Sequence, residues 1–137
     1  LQDGRRLDAD FFVDCTGFRS LLLQQTLGVR FLPFAENLYN DAAVAMPTPH
    51  APGPIAPQTT ATALSCGWAW KIPLTNRVGN GYVYSSRYLD RDAAEKELRA
   101  HLGIGEADVP VRHLSMRVGR VEAPWTQNCL AVGLSQG

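Results

Sequence analysis

Apolar and polar positions fall into short blocks along the chain, and each block predicts one element. Leu1 and Leu7 flank Asp3-Gly4, a strong hairpin signal. The run "ADFFVDC" (residues 9–15) is apolar and ends on Asp14, which predicts a buried strand of a parallel sheet. Periodicity alone does not separate so short a run from a helical turn. "TGFRSLLLQQTLG" supplies a glycine turn and then a short helix closing near Gly28. A strand is expected around "NDAAVAM", followed by "MPTPHAPGPIAPQ", which carries five of the nine prolines. Proline lacks the amide donor and fixes φ, so this stretch predicts an ordered loop or irregular edge.

Three antiparallel strands are expected next, over "TATALSCG", "WAWKIPL" and "GNGYVYSSRY", with "TNRVGNG" as the turn between the last two. "DRDAAEKELRAHLG" is the clearest helix. Asp90 is its expected cap, Gly103 its stop, and Ala94, Leu98 and Leu102 recur every fourth residue as its packed face. An amphipathic strand "VRHLSMRVGR", then "APWTQ" and an apolar strand "NCLAVGLS" complete the pattern. The fold class is α/β, with an antiparallel sheet inserted between two pieces of a mostly parallel one.

Composition narrows the function. Lys+Arg and Asp+Glu both number 13, and a net charge of zero excludes a nucleic-acid groove built on concentrated positive charge. Apolar residues make up 45%, enough for a core. Cys15, Cys66 and Cys129 are odd in number and widely spaced, which fits reduced, mostly buried thiols in a cytoplasmic protein. No segment reaches the roughly 20 apolar residues that cross a bilayer, and none resembles a signal peptide. The chain begins in what reads as half of a strand pair and stops just past an apolar strand. It is therefore expected to be a segment of a longer protein.

Candidate chemistry centres on one strand. Alternate residues share a face, so Trp68, Trp70 and Ile72 point one way and Ala69 and Lys71 the other, until Pro73 ends the pairing. Two indoles on one face are either core or a rigid wall suited to a planar aromatic ligand, and composition leaves both open. Gly17, after the first strand, and the small residues of "VGLSQG" would let a phosphate or ribose approach the backbone, or simply form turns. No GxGxxG fingerprint and no G-x-S-x-G elbow occurs. His50, His101 and His113 have no metal-ligand spacing and fit surface or supporting positions. Arg117 and Arg120 could touch an anion but usually face solvent in such a turn. Residue chemistry alone gives a ligand-binding α/β chain and names no catalytic group.

Taken together and in order, "DADFFVDCTGFRSLL", "SCGWAWKIPL", "GNGYVYSSRYLDRDAA" and "RVGRVEAPWTQNCLAVGLSQG" resemble the middle of a flavin-dependent halogenase of the tryptophan halogenase family. The most specific element is W-x-W-x-I-P, here Trp68, Trp70, Ile72 and Pro73, which separates these enzymes from related flavin monooxygenases. The resemblance implies part of an FAD-binding, Rossmann-like fold with an inserted antiparallel substrate-side sheet. Residues 1–30 and 121–137 would belong to the FAD-binding core, and 31–120 to the substrate-side region. It implies reduced FAD from a partner flavin reductase, O₂, chloride or bromide, and an aromatic substrate, with free tryptophan first and a bulkier indole or peptide next. A role in secondary metabolism such as antibiotic biosynthesis follows, with homodimer formation as one option.

By the same resemblance, Trp68, Trp70, Ile72 and Pro73 line the flavin-to-substrate tunnel, and Gly17, Gly133, Leu134 and Ser135 lie near FAD. The family's catalytic lysine and GxGxxG would precede residue 1 and its catalytic glutamate would follow Gly137. Lys71 is not that lysine, and the segment alone is expected to be inactive. The alternatives are a flavin-dependent aromatic monooxygenase of the same fold and a non-catalytic flavin- or small-molecule-binding protein.

Overall fold

The computed structural model describes residues Gly4–Gly137, so the hairpin expected around Asp3-Gly4 lies outside the described residues in its first half. In chain order the strands begin with β1 (Phe12–Asp14), β2 (Phe31–Pro33), β3 (Ala42–Thr48), β4 (Thr60–Leu64) and β5 (Gly67–Pro73). They continue with β6 (Val78–Tyr84), then helix α1 (Arg91–Leu102), β7 (Arg112–Ser115), β8 (Gly119–Val121), β9 (Trp125–Thr126) and β10 (Cys129–Ala131). Short helical turns occupy Gly17–Arg19, Leu21–Thr26 and Gly133–Ser135. The fold is mixed α/β, in two compact units: Leu1–Ala35 with Arg117–Gly137, and Glu36–Met116. β2 and β8 pair with each other in the first unit.

In the first unit, β1 runs parallel to β10, and β9 adds antiparallel to β10. One sheet face is sealed: Leu23 of the 21–26 helix, Cys129 and Ala131 are buried together with Val121, and Phe12 packs against them. Val13 is 50% exposed, so β1 is not the fully buried strand its composition predicts. Pairing on one side and packing on one face cover Asp14 and leave its neighbour outside. The 21–26 helix is wound wide, with Gln25 N donating to Ser20 O at 3.1 Å and Leu27 N to Leu22 O at 2.9 Å.

The second unit is a five-stranded antiparallel sheet in the order β4-β5-β6-β3-β7, with α1 against one face. Asp90 caps α1 by accepting from Ala93 N at 2.8 Å, and Gly103 ends it at φ +67°. Ala94 and Leu98 are fully buried against Val44, Met46, Ala69, Tyr82 and Tyr84, with Leu102 at the margin. The expected helix face is the observed one.

Three sequence expectations change. β3 runs two residues past the expected strand end at Met46, through Pro47 to Thr48; β7 pairs only with Ala42–Ala45, so Pro47 sits where β7 does not cover that edge of β3. Val78–Gly81 belong to β6, and the turn before it closes with Leu74 N donating to Arg77 O at 2.8 Å. The expected strand over 111–120 is two strands in different sheets, β7 and β8. Leu98→Ala should cost about 2–5 kcal/mol, because it empties the point where α1 meets the sheet. Denaturant unfolding measures it; a loss under 1 kcal/mol, the range of a surface substitution, would contradict this core.

Candidate functional site

Asp14 closes β1 and is completely buried, which requires partners. It has five: Thr16 Oγ1 (2.6 Å) and Thr16 N (3.0 Å) on one oxygen, and Leu22 N (2.9 Å), Leu23 N (2.9 Å) and Ser20 Oγ (3.4 Å) on the other. The carboxylate thus caps the 21–26 helix from outside it and fixes the turn between. Burial pushes the acid's pKa up, but the hydrogen bonds from Thr16, Leu23 and Leu22 outweigh it and hold the pKa at about 2. Sequence reading passed over this residue; an acid ending an apolar strand just before T-x-x-x-S was the available signal.

Because β1 and β10 are parallel neighbours, the turns that follow them emerge at the same sheet end, the carboxyl end. Val132 N donates to Asp14 O at 3.1 Å and ties the two exits together. Gly17 (φ +68°) and Gly133 (φ +58°) open these turns, and no described atom stands within 4 Å of where a Cβ would be at either. Both need glycine for backbone conformation, and both present open backbone to solvent. Leu134 is 53% exposed beside Gly133, whereas Ser135 is fully buried with its hydroxyl unpartnered. Any contact from Ser135 to a ligand at the turn would come from its backbone.

The second unit carries Trp68 and Trp70. β5 lies between β4 and β6, with Trp68 opposite Val83, Ala69 opposite Tyr82 and Trp70 opposite Gly81. Ala69 and Tyr82 are core residues, so the Trp68–Trp70–Ile72 row faces away from the core. Trp68 is 42% exposed, Trp70 half-buried and Ile72 partly exposed. The indole centroids are 6.1 Å apart with planes at 58°. Pro73 ends the strand, opposite Val78. Neither indole is part of the buried core of this unit. Lys71 pairs with Asn80 in the opposite row.

The tryptophan halogenase family model matches residues 1–137 of the chain. This chain belongs to the tryptophan halogenase family. The 7-chloro-L-tryptophan 6-halogenase KtzR of Kutzneria sp. (strain 744) is 50% identical over 134 residues, covering 96% of this chain and 26% of that protein. Tryptophan 6-halogenase SttH of Streptomyces toxytricini is 49% identical over 134 residues, covering 96% of this chain and 25% of that protein. The crystal structure of SttH matches with a TM-score of 0.87, over 96% of this chain and 26% of that one. A tryptophan halogenase structure from Shewanella frigidimarina NCIMB 400 reaches 0.90 at 38% identity, over 99% of this chain and 27% of that one. The chain thus spans about a quarter of the length of these relatives.

Most of the remaining polar candidates of this family member have contacts within the chain. His113 is not a surface residue: its Nε2 lies 3.0 Å from Glu95, whose other oxygen accepts from Arg99 Nε at 2.8 Å. Arg99, first, and His113 hold the Glu95 carboxyl below its ordinary pKa. His50 Nε2 meets Leu74 O at 2.6 Å, and His101 is exposed. Arg117 is exposed, as expected, and also lies 4.4 Å over the Phe31 ring and donates to Gln24 Oε1 at 3.2 Å. Arg120 donates to the carbonyls of Val121 and Glu122. Of the cysteines only Cys129 is buried; Cys15, in the open turn, is exposed, and Cys66 is intermediate.

Asp14 makes a pH prediction. Its folded pKa lies below the ordinary 3.8, so its stabilisation is complete above that value and is lost as pH falls through about 2. The magnitude is roughly 2 kcal/mol. Asp14→Asn should therefore lower the denaturant midpoint at neutral pH, with the difference shrinking toward about pH 2. An equal difference at both pH values would contradict the assignment.

Proposed function

We propose that the protein to which this chain contributes is a flavin-dependent halogenase that substitutes chlorine or bromine for hydrogen on an aromatic ring, free tryptophan being the first candidate. The observation that carries the reading is the register of β5, which turns Trp68, Trp70 and Ile72, with Pro73 behind them, away from the core. A broad apolar wall with an indole N–H at each tryptophan suits containment of a small reactive species and a planar substrate.

The chain's own residues fit FAD at the carboxyl end of the β1–β10 pair, where ligands of α/β sheets bind. Gly17, Gly133 and Leu134 would offer open backbone to it, and Ser135 its main chain, in a Rossmann-like arrangement. Asp14 does not meet the cofactor in this reading; its acceptor capacity is spent on the turn and the helix, and it keeps Gly17 in place. Bound reduced FAD would supply the two electrons that bring O₂ to the peroxide level, and oxygen at that level would in turn oxidise the halide by two electrons. Reduced FAD, O₂, chloride, a proton and the arene give oxidised FAD, two waters and the chloroarene. A separate flavin reductase regenerates the reduced cofactor. The activity is assigned to the full-length protein, because this chain covers only 26% of a relative such as KtzR.

The full-length protein, given FAD, NADH, a flavin reductase, chloride and tryptophan, should form a product with the isotope pattern of one chlorine in mass spectrometry. A product that gains only a hydroxyl would overturn the proposal in favour of a monooxygenase, and no turnover at all would favour a binding protein.

A further inference from the structure

The two indoles share a face but not a pose, and the difference lies in what stands opposite each. Trp68 stands opposite Val83, a residue with a branched side chain, and remains 42% exposed. Trp70 faces Gly81, and its six-membered ring occupies the place where a Cβ at residue 81 would be. Gly81 is itself buried although it lies on the outward face, because the indole covers it. Its φ is not positive, so its backbone does not require glycine; only the ring above it does. Gly79, two residues earlier in the same row and opposite Ile72, is different: a Cβ there would meet its nearest atoms at 3.8–4.0 Å, ordinary contact.

From this contrast we infer that Gly81 is a positioning residue, which lets the Trp70 indole lie down over β6 and so sets the shape of the tryptophan wall. A methyl group at 81 meets the far end of a side chain rather than backbone, so the ring swings away and the sheet survives. Gly67 is the opposite case: a Cβ there would run into the Val83 carbonyl, and the strands themselves would have to part. The role of Gly81 in turnover rests on the halogenase reading; its control of Trp70 does not.

The test uses the full-length protein with Gly81→Ala, Gly79→Ala, Trp70→Ala and the Gly81→Ala/Trp70→Ala pair. Near-UV circular dichroism should change for Gly81→Ala and stay as wild type for Gly79→Ala, with unfolding midpoints of both close to wild type. Misplacing a wall by about 1 Å can cost up to ~100-fold, so Gly81→Ala should lower the chlorinated product formed per NADH consumed by ~10-fold or more, with peroxide making up the balance. In the Trp70→Ala background, Gly81→Ala should change neither signal further, because the ring it displaces is gone. An unchanged near-UV spectrum for Gly81→Ala, or an equal effect with and without the Trp70 ring, would overturn the inference. Should the wild-type protein form no chlorinated product, the halogenase reading falls while the spectra still decide the Gly81–Trp70 relation.

Discussion

A strand has two faces, and β5 sets Ala69 on one and Trp68 and Trp70 on the other. Ala69 is 3% exposed against Tyr82 on the side that α1 seals, and this contact fixes the register of the strand. A slip by one residue would turn every side chain over and drive two indoles into the space held by Ala69, where Leu98, Val44 and Met46 already meet. With Ala69 on the buried face, Trp68 and Trp70 face outward. The wall is thus a consequence of the core, and its finer shape a consequence of a glycine on the next strand.

The first unit solves a different problem, that of holding an open turn rigid. A three-residue parallel strand has little pairing of its own. Its terminal carboxylate compensates by gathering amides from the turn and from the following helix, which leaves Gly17 half-buried but fixed. Hydrogen bonds to a charged group are the strong ones, and a buried carboxylate without them would not stay ionised. The same strand end is tied to the exit of β10 through Val132. Open glycine backbone at two adjacent strand exits is the result.

Much of this was legible in the residues. Period-two alternation gave the faces of β5, the four-residue repeat gave α1, and Asp90 and Gly103 gave its ends. The W-x-W-x-I-P motif carried the family. What was not legible depended on partners distant in sequence. Pro47 enters a strand because β7 stops at Ala45, and no local pattern announces where a neighbour stops. Residues 111–120 alternate as one strand yet serve two sheets. Asp14 and Gly81 look like a turn acid and a turn glycine, and their roles appear only once Leu22, Leu23 and Trp70 are brought onto them. Ser135 reads as a small residue at a ligand turn, but its side chain is turned inside.

The central claim is that the outward indole row borders the chemistry. Fluorine NMR of the full-length protein carrying 5-fluorotryptophan tests it most directly, with Trp68 and Trp70 assigned by substitution. Addition of FAD and tryptophan should shift both resonances. If both stay in place while FAD and tryptophan are bound, the row is a surface of another kind and the account is wrong.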